Sequence, residues 1–250
     1  MNQLDFRGRA AIVTGAAKGI GYATAVRLLD SGAGVSLWDA DQGSLAEATE
    51  RLAGKGAVHS VAVDVCDADA VAAATEAALT AFPAIDVMVC NAGIAGIIKS
   101  AWDYTLAEWD HLLRVDLTSV FLSCRAVVPH MLVRRYGRIV TVSSIAGMEG
   151  AANNAAYSAA KAGIIGFTKA LGKEIAKTGV IVNCVTPSGI DTELLQQIAP
   201  QYRNDVLSRM PIGRFGRPDE AAAMIAWLAS EECSFSTGAV FDLSGGRAVY

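Results

Sequence analysis

Three residues in the second half of the chain have the types and spacing of a proton-transfer site. Tyr157 and Lys161 stand four residues apart in AAYSAAKAGIIGFTKAL, and Ser144 lies thirteen residues before Tyr157. The segment has no proline and repeats apolar residues at helical spacing, which predicts a helix with both side chains on one face. A phenol has an ordinary pKa of about 10, and a cation beside it favours the phenolate. The pair is a candidate acid/base, although the same spacing also occurs by chance on amphipathic helices.

The length suits one large α/β domain or two small ones, and because no repeat or linker is visible we expect a single domain over residues 1–250. The 250 residues are 52% hydrophobic and 18% charged, so a large core can form and disorder is disfavoured. The net charge is −4 without any Lys/Arg-rich block, which argues against nucleic-acid binding. The N-terminal residues do not resemble a signal peptide, and no apolar stretch has membrane-spanning length. We therefore expect a cytoplasmic protein without a membrane partner.

Cysteine and histidine patterns predict no metal site. The five cysteines are odd in number and form no CxxC pair, so reduced thiols are expected. The histidines are scattered along the chain at positions 59, 111 and 130, where surface or packing roles are expected.

Elements that must position the candidate residues alternate regularly along the chain. Val/Ile-rich runs predict strands at 10–14, 34–38, 58–63, 85–90, 137–142, 179–185 and 237–243. Helical patterns lie between them at 19–30, 42–53, 68–81, 106–134, 156–177 and 218–229. Strands that are apolar throughout indicate a parallel sheet covered on both faces, which predicts a doubly wound α/β fold. The proline-rich stretch 187–217, with a short amphipathic piece near 192–199, is expected to form a lid or substrate loop.

A glycine-rich segment, TGAAKGIG at 14–21, follows the first predicted strand. Its glycines would let the backbone approach a pyrophosphate at the start of the next helix. The spacing is GxxxGxG rather than GxGxxG, but its place after the first strand is what a dinucleotide site requires. Asp39 closes the second strand, where a carboxylate can bind an adenosine ribose and would repel a 2′-phosphate. Asp64, after the third strand, is expected at the adenine edge, and a strand-end cap is the alternative for both aspartates.

The chain resembles the short-chain dehydrogenase/reductase family over essentially its whole length. The matching motifs are TGAAKGIG, Asn91-Ala92-Gly93 after the fourth strand, Ser144, Tyr157, Lys161 and SGG at 244–246. The resemblance implies a Rossmann-type fold with a seven-stranded parallel sheet, a nicotinamide cofactor and a homotetramer. An acidic residue at Asp39 implies NAD rather than NADP, although a base such as Lys18 is common in NADP users.

Family roles carry over to individual positions. The resemblance implies Tyr157 as the acid/base, Lys161 as its electrostatic partner and a ribose ligand, and Ser144 as the hydrogen-bond donor to the substrate oxygen. Asp116 stands where most relatives have asparagine, so we expect it to join the proton relay, with a structural role as the alternative. Ser188 departs from the usual Pro-Gly turn and would place a hydroxyl near the nicotinamide. The expected cofactor contacts are Gly15, Lys18, Gly19, Ile20, Gly21, Asp39, Asp64, Val65, Asn91, Ala92, Gly93, Tyr157, Lys161, Pro187, Ile190 and Thr192.

Polar residues around the expected cleft indicate a small hydroxylated substrate. Glu149 and Asn154 lie in the loop after Ser144, and Ser188 adds another hydroxyl. Arg209, in the expected lid, could meet a carboxylate, although a solvated surface charge is the commoner role. With Ser144 and Tyr157, these residues favour NAD-dependent interconversion of a secondary alcohol and a ketone on a sugar, a sugar acid or a hydroxy acid.

Two other functions remain open from the sequence. A 3-oxoacyl-[acyl-carrier-protein] reductase would use NADPH, and Arg134, Arg135 and Lys173 could form a basic patch for its acidic carrier. A non-catalytic NAD(H)-binding sensor is the more distant alternative, because Ser144, Tyr157 and Lys161 are all present.

Overall fold

The computed structural model describes residues 4–197 and 199–248, which build a seven-stranded parallel sheet in the order β3-β2-β1-β4-β5-β6-β7. The strands are β1 (Ala10–Thr14), β2 (Gly34–Asp39), β3 (Val58–Ala62), β4 (Val87–Cys90), β5 (Gly137–Val142), β6 (Val180–Pro187) and β7 (Val240–Leu243). The helices are α1 (Gly19–Asp30), α2 (Gln42–Leu52), α3 (Ala68–Ala81), α4 (Leu106–Leu113), α5 (Ser119–Arg134), α6 (Ala146–Glu149), α7 (Ala155–Ile175), α8 (Glu193–Gln196), α9 (Pro200–Ser208) and α10 (Pro218–Ala229). The predicted doubly wound sheet is therefore confirmed.

Apolar side chains alternate between the two faces of the sheet and build a core on each. Ile12 and Met88 pack with α3, α5 and α7 on one face. Val13 and Val89 pack with α1 and α10 on the other. Every residue of β1, β4 and β5 is buried, as parallel strands covered on both faces require. The strand order reverses between β1 and β4, and ligands of such sheets bind beyond the carboxyl ends of the strands at this point.

Two predicted segments differ from the structure. The single helix expected at 106–134 is divided into α4 and α5 by a π-helical turn at Arg114–Thr118. The lid region contains a second helix, α9, beyond the short piece that the sequence indicated. No residue of α9 is buried, so no apolar stripe marks it, and Pro200 begins it at a position that favours proline. None of the helices in the described ranges is long and apolar enough to cross a membrane.

Candidate active site

A cleft of about 520 Å³ opens beyond the carboxyl ends of the central strands. It is bordered by the segments that follow β4, β5 and β6, by the start of α7, and by the lid helices α8 and α9. The four residues expected to be catalytic all line it: Asp116, Ser144, Tyr157 and Lys161. Side chains from distant parts of the sequence therefore meet at one concave site.

Tyr157 and Lys161 lie in the first two turns of α7 and share the face that points to the cleft. The Lys161 Nζ atom lies 5.4 Å from the centroid of the Tyr157 ring. Only 5% of the lysine side chain is exposed, and Nζ donates to the Val142 carbonyl oxygen at 3.4 Å. The helix thus holds an ammonium against the phenol ring, as the four-residue spacing predicted.

Asp116 forms a buried ion pair with Lys161. Its side chain is fully buried, and Oδ2 lies 3.1 Å from Lys161 Nζ, in an ion pair rather than an aligned hydrogen bond. Oδ1 accepts the Ile94 backbone N–H at 2.8 Å, and the π-helical turn carries the residue into this position. Burial is the largest influence and lowers the pKa of Lys161, but Asp116 and then Tyr157 together outweigh it, so the pKa is raised above its ordinary value. The lysine is therefore held as a cation inside the protein.

The two serines after β5 have different partners. The Ser143 hydroxyl donates to the Lys161 carbonyl oxygen at 2.7 Å, which ties the strand end to α7. The Ser144 hydroxyl accepts the Ala146 backbone N–H at 3.1 Å, so its own proton is free for donation into the cleft. This arrangement favours Ser144 over Ser143 as the donor to a substrate oxygen.

The glycine-rich turn between β1 and α1 is shaped for close backbone approach. Gly15 and Gly19 have φ angles of 61° and 55°, which strongly favour glycine. A Cβ atom on Gly21 would lie 2.1 Å from the Gly15 carbonyl oxygen, so only glycine fits there. Asn91 Nδ2 donates to the carbonyl oxygens of Thr14 and Gly15 at 3.0 and 3.2 Å, which links the end of β4 to the turn. The turn can therefore present backbone N–H groups to a pyrophosphate.

Asp39 is fixed beside this turn at the end of β2. Oδ2 accepts the Ala17 backbone N–H, and Oδ1 accepts the Asp41 backbone N–H, each at 3.1 Å. Each oxygen retains acceptor capacity, so the carboxylate fits a ribose diol. Lys18 precedes α1 as its N-cap, and its exposed ammonium lies 3.6 Å from Asp41 Oδ2. Lys18, the base that suggested NADP use, is therefore paired with the Asp41 carboxylate.

Other expected cofactor residues fall into two groups. One group lines the cleft and consists of Ile20, Asn91, Gly93, Pro187, Ile190 and Thr192. The second group lies around the β-strand ends outside the cleft wall. Ala92 donates its backbone N–H to Thr14 Oγ1, and Val65 is buried in the core. Asp64 is exposed, and its Oδ1 accepts the Cys66 backbone N–H at 2.9 Å, which is also the bond expected of a strand-end cap.

The residues expected to contact substrate are only partly brought together. Asn154, Ser188 and Arg209 line the cleft, whereas Glu149 does not. Glu149 instead pairs with Arg247, which lines the cleft and which the sequence interpretation missed. The only sequence signal for Arg247 was a single cation in the short tail GGRAVY.

Comparison with known proteins places this chain and its fold in one family. The family described as Enoyl-(Acyl carrier protein) reductase matches residues 15–248. A 2-dehydro-3-deoxy-L-rhamnonate dehydrogenase (NAD(+)) from Sphingomonas sp. is 44% identical over 98% of this chain and 97% of its own. A cis-4-hydroxycyclohexanecarboxylate dehydrogenase from Sinomonas cyclohexanicum is 42% identical over 96% and 97%. The crystal structure of a Brucella melitensis 3-ketoacyl-(acyl-carrier-protein) reductase complexed with NADH has a TM-score of 0.92 at 30% identity, covering 98% of this chain and 100% of that chain.

A doubly wound sheet with a glycine-rich turn and a tyrosine–lysine cleft defines a dinucleotide-dependent oxidoreductase. With these similarities, the chain belongs to the short-chain dehydrogenase/reductase family, as its motifs predicted. It is an oxidoreductase that interconverts an alcohol and a ketone.

Proposed function

We propose that the protein is an NAD-dependent dehydrogenase that acts on a secondary alcohol of a small polar substrate, a sugar, sugar acid or hydroxy acid. The observation that carries the proposal is the meeting of Ser144, Tyr157 and the Lys161–Asp116 ion pair in one cleft. The names of the Sphingomonas and Sinomonas relatives support both an acid substrate and, for the first, NAD.

Each residue has a distinct role in alcohol oxidation. When bound, NAD supplies the hydride acceptor of the reaction. Tyr157 takes the proton of the substrate hydroxyl, while Lys161 stabilises the phenolate that receives it. The Ser144 hydroxyl donates to the substrate oxygen and stabilises its developing charge. Asp116 acts through Lys161, because its carboxylate keeps the buried ammonium charged. In ketone reduction, Tyr157 returns the proton.

Asp39 selects NAD over NADP. Its carboxylate is fixed by two backbone N–H groups at the end of β2 and retains acceptor capacity for ribose hydroxyls. A 2′-phosphate brought to this place would meet a fixed negative charge, and Lys18 is already paired with Asp41. The glycine-rich turn, Asn91 and the loop after β6 complete the cofactor site.

A 3-oxoacyl-[acyl-carrier-protein] reductase is the second candidate. The name of the Brucella structure and the apolar residues in the cleft, among them Ile94 and Leu194, favour it. The basic patch that would meet an acidic carrier is less favourable, because Arg134 is already paired with Asp86 at 3.7 Å. The small polar substrate is therefore the preferred proposal.

A cofactor-reduction screen separates these functions. Sugar acids, hydroxy acids, polyols and 3-hydroxyacyl thioesters are each offered with NAD and with NADP, and Tyr157→Phe is the control. We expect NAD reduction with a sugar acid or hydroxy acid and only residual reduction with the variant. Turnover confined to thioesters and NADP would support the reductase, and NADH binding without turnover of any substrate would support a sensor.

The oligomeric state is proposed from the exposed apolar residues. Phe121 on α5 packs edge-on against Phe167 on α7, and Phe121 and Val133 are exposed. These helices are proposed to form a two-fold contact within a homotetramer. Light scattering of the purified protein would test whether it is a tetramer. A single domain over 1–250 and a cytoplasmic location remain predictions.

A further inference from the structure

The C-terminal segment places an arginine in the wall of the active-site cleft. Arg247 lines the same cleft as Ser144 and Tyr157, and only 8% of its side chain is exposed. The segment is held by hydrogen bonds: Ala248 N–H donates to the Ser244 side-chain Oγ at 2.9 Å, and Ile212 N–H donates to the Gly245 carbonyl oxygen at 3.1 Å. The arginine is therefore positioned by the fold.

Other cations of the cleft differ from Arg247 in their surroundings. Lys161 belongs to the proposed acid/base group and is paired inside the protein with Asp116. Arg209 is 52% exposed and pairs with Asp205 one helical turn away. Among the described cleft residues, Arg247 is thus the buried cation that the proposed proton transfer does not use.

Glu149 anchors Arg247 from outside the cleft. Arg247 Nε and Nη2 both donate to Glu149 Oε2, at 3.1 and 2.9 Å, and Glu149 does not line the cleft. In the strongest arginine–carboxylate pairs, two N–H donors bond to the two carboxylate oxygens. Here both donors bond to a single oxygen of Glu149. The guanidinium can therefore meet a second carboxylate from the cleft side.

We propose that Arg247 recognises a carboxylate of the substrate, with Glu149 as the anchor behind it. This rests on the function proposed above and narrows its substrate class to hydroxy acids and sugar acids. The pair with Glu149 already offsets part of the cost of burying the guanidinium, and a substrate carboxylate adds charge-assisted hydrogen bonds that a neutral substrate cannot form. Ser188, whose buried hydroxyl has no partner among the described residues, adds a polar group to the same cleft.

The test measures binding without turnover. Dissociation constants of cis-4-hydroxycyclohexanecarboxylate and of a 3-deoxyaldonate, each compared with its carboxamide, are measured on the enzyme–NADH complex through NADH fluorescence. We expect wild type to prefer the acid, and Arg247→Gln to lower that acid-over-amide preference by about 10- to 100-fold, as expected for charge-assisted hydrogen bonds. Arg247→Lys should restore part of the preference, because it keeps the charge but not the planar fork.

Glu149→Gln distinguishes recognition of a substrate carboxylate by Arg247 from a purely structural role of the Arg247–Glu149 pair. It removes the competing negative charge, so the acid preference should rise by about threefold or more. If the Arg247–Glu149 pair only fixes the C-terminal segment in place, Arg247→Gln and Glu149→Gln break the same ion pair. Both variants should then change the dissociation constants of the acid and the carboxamide in the same direction. That result, or a wild type that binds no acid more tightly than its carboxamide, would overturn the proposal. Failure of the proposed function gives a different result. NAD reduction is then absent with every substrate, while the acid still binds to Arg247 more tightly than its carboxamide.

Discussion

Replacing Asp116 with asparagine tests the buried ion pair that distinguishes this site. Asparagine keeps an oxygen for the Ile94 N–H, which Asp116 Oδ1 accepts at 2.8 Å, but it removes the negative charge 3.1 Å from Lys161 Nζ. The lysine side chain stays in place, 5% exposed, with the Val142 carbonyl oxygen at 3.4 Å. The variant therefore isolates the charge and leaves the shape of the site nearly unchanged.

The expected cost follows from the geometry of the pair. At 3.1 Å and an effective dielectric constant of about 20, the attraction is about 5 kcal/mol. The single amide oxygen is used by the Ile94 N–H, so the amide NH2 group stands beside the ammonium, and the difference from wild type is the loss of this attraction. A neutral amide costs less to bury than a carboxylate, and this lower cost offsets part of the difference. We expect the free energy of unfolding to fall by roughly 3 to 5 kcal/mol, the range for breaking a buried pair.

Urea unfolding of the purified protein measures this loss. Asp110→Asn, the same change at an exposed position of α4, is the matched control and should cost less than about 0.5 kcal/mol. Asp116→Ala should cost about 1 to 3 kcal/mol more than Asp116→Asn, because it also leaves the Ile94 N–H without its acceptor.

The same variant has a defined pH dependence. The pKa of Lys161 is raised, because Asp116 and then Tyr157 outweigh the lowering by burial. A raised folded-state pKa gives stability that is complete below the unfolded pKa of about 10.4 and is lost as the pH rises through the folded pKa. Without Asp116, burial lowers the pKa of Lys161, so the difference in stability between wild type and Asp116→Asn should be largest near neutral pH and should narrow as the pH rises towards about 10.4 and beyond. If Asp116→Asn is as stable as Asp110→Asn, the buried ammonium does not depend on this carboxylate and the reasoning is wrong.

Three further predictions address the acid/base, the cofactor preference and the glycine turn. Tyr157→Phe should lower kcat by about 10²- to 10⁴-fold while NADH binding by fluorescence is retained, and a smaller loss would remove Tyr157 as the acid/base. Asp39→Ala should lower the NAD-over-NADP ratio of kcat/KM by about tenfold or more, and an unchanged ratio would place the ribose elsewhere. Gly21→Ala should lower the free energy of unfolding by about 1 to 3 kcal/mol, because its Cβ would lie 2.1 Å from the Gly15 carbonyl oxygen. Gly166→Ala, in α7 with nothing within 4 Å of the added Cβ, should be neutral or stabilising.

The sheet could be predicted because its strands are short apolar runs between turn residues. β1, β4 and β5 are buried on both faces, so their sequences lack alternation and indicate a parallel sheet. The break at Arg114–Thr118 was not visible, because a π-helical turn adds a residue without proline or glycine to mark it. α9 was missed for the opposite reason, since a helix without a buried face leaves no periodic pattern.

Local spacing located the part of the site that lies on a single element. Tyr157 and Lys161 are neighbours because residues four positions apart lie on the same face of a helix, so their juxtaposition could be predicted. Asp116 reaches Lys161 only through tertiary packing, and family resemblance rather than spacing pointed to it. The contact between Arg247 and Glu149 joins residues 98 positions apart, which no local pattern encodes.

The two buried cations of the cleft divide the chemistry between them. The Lys161–Asp116 pair is almost fully buried, with 5% and 0% of its side chains exposed, so it stays formed whichever substrate enters. The Arg247–Glu149 pair has an anchor that is 35% exposed and bonds through one carboxylate oxygen, so its guanidinium can respond to the ligand. A substitution in the Lys161–Asp116 pair should therefore affect proton transfer for every substrate. A substitution in the Arg247–Glu149 pair should instead change the preference between charged and neutral substrates. In the proposed roles, the family reaction stays constant while Arg247 determines which alcohols are oxidised.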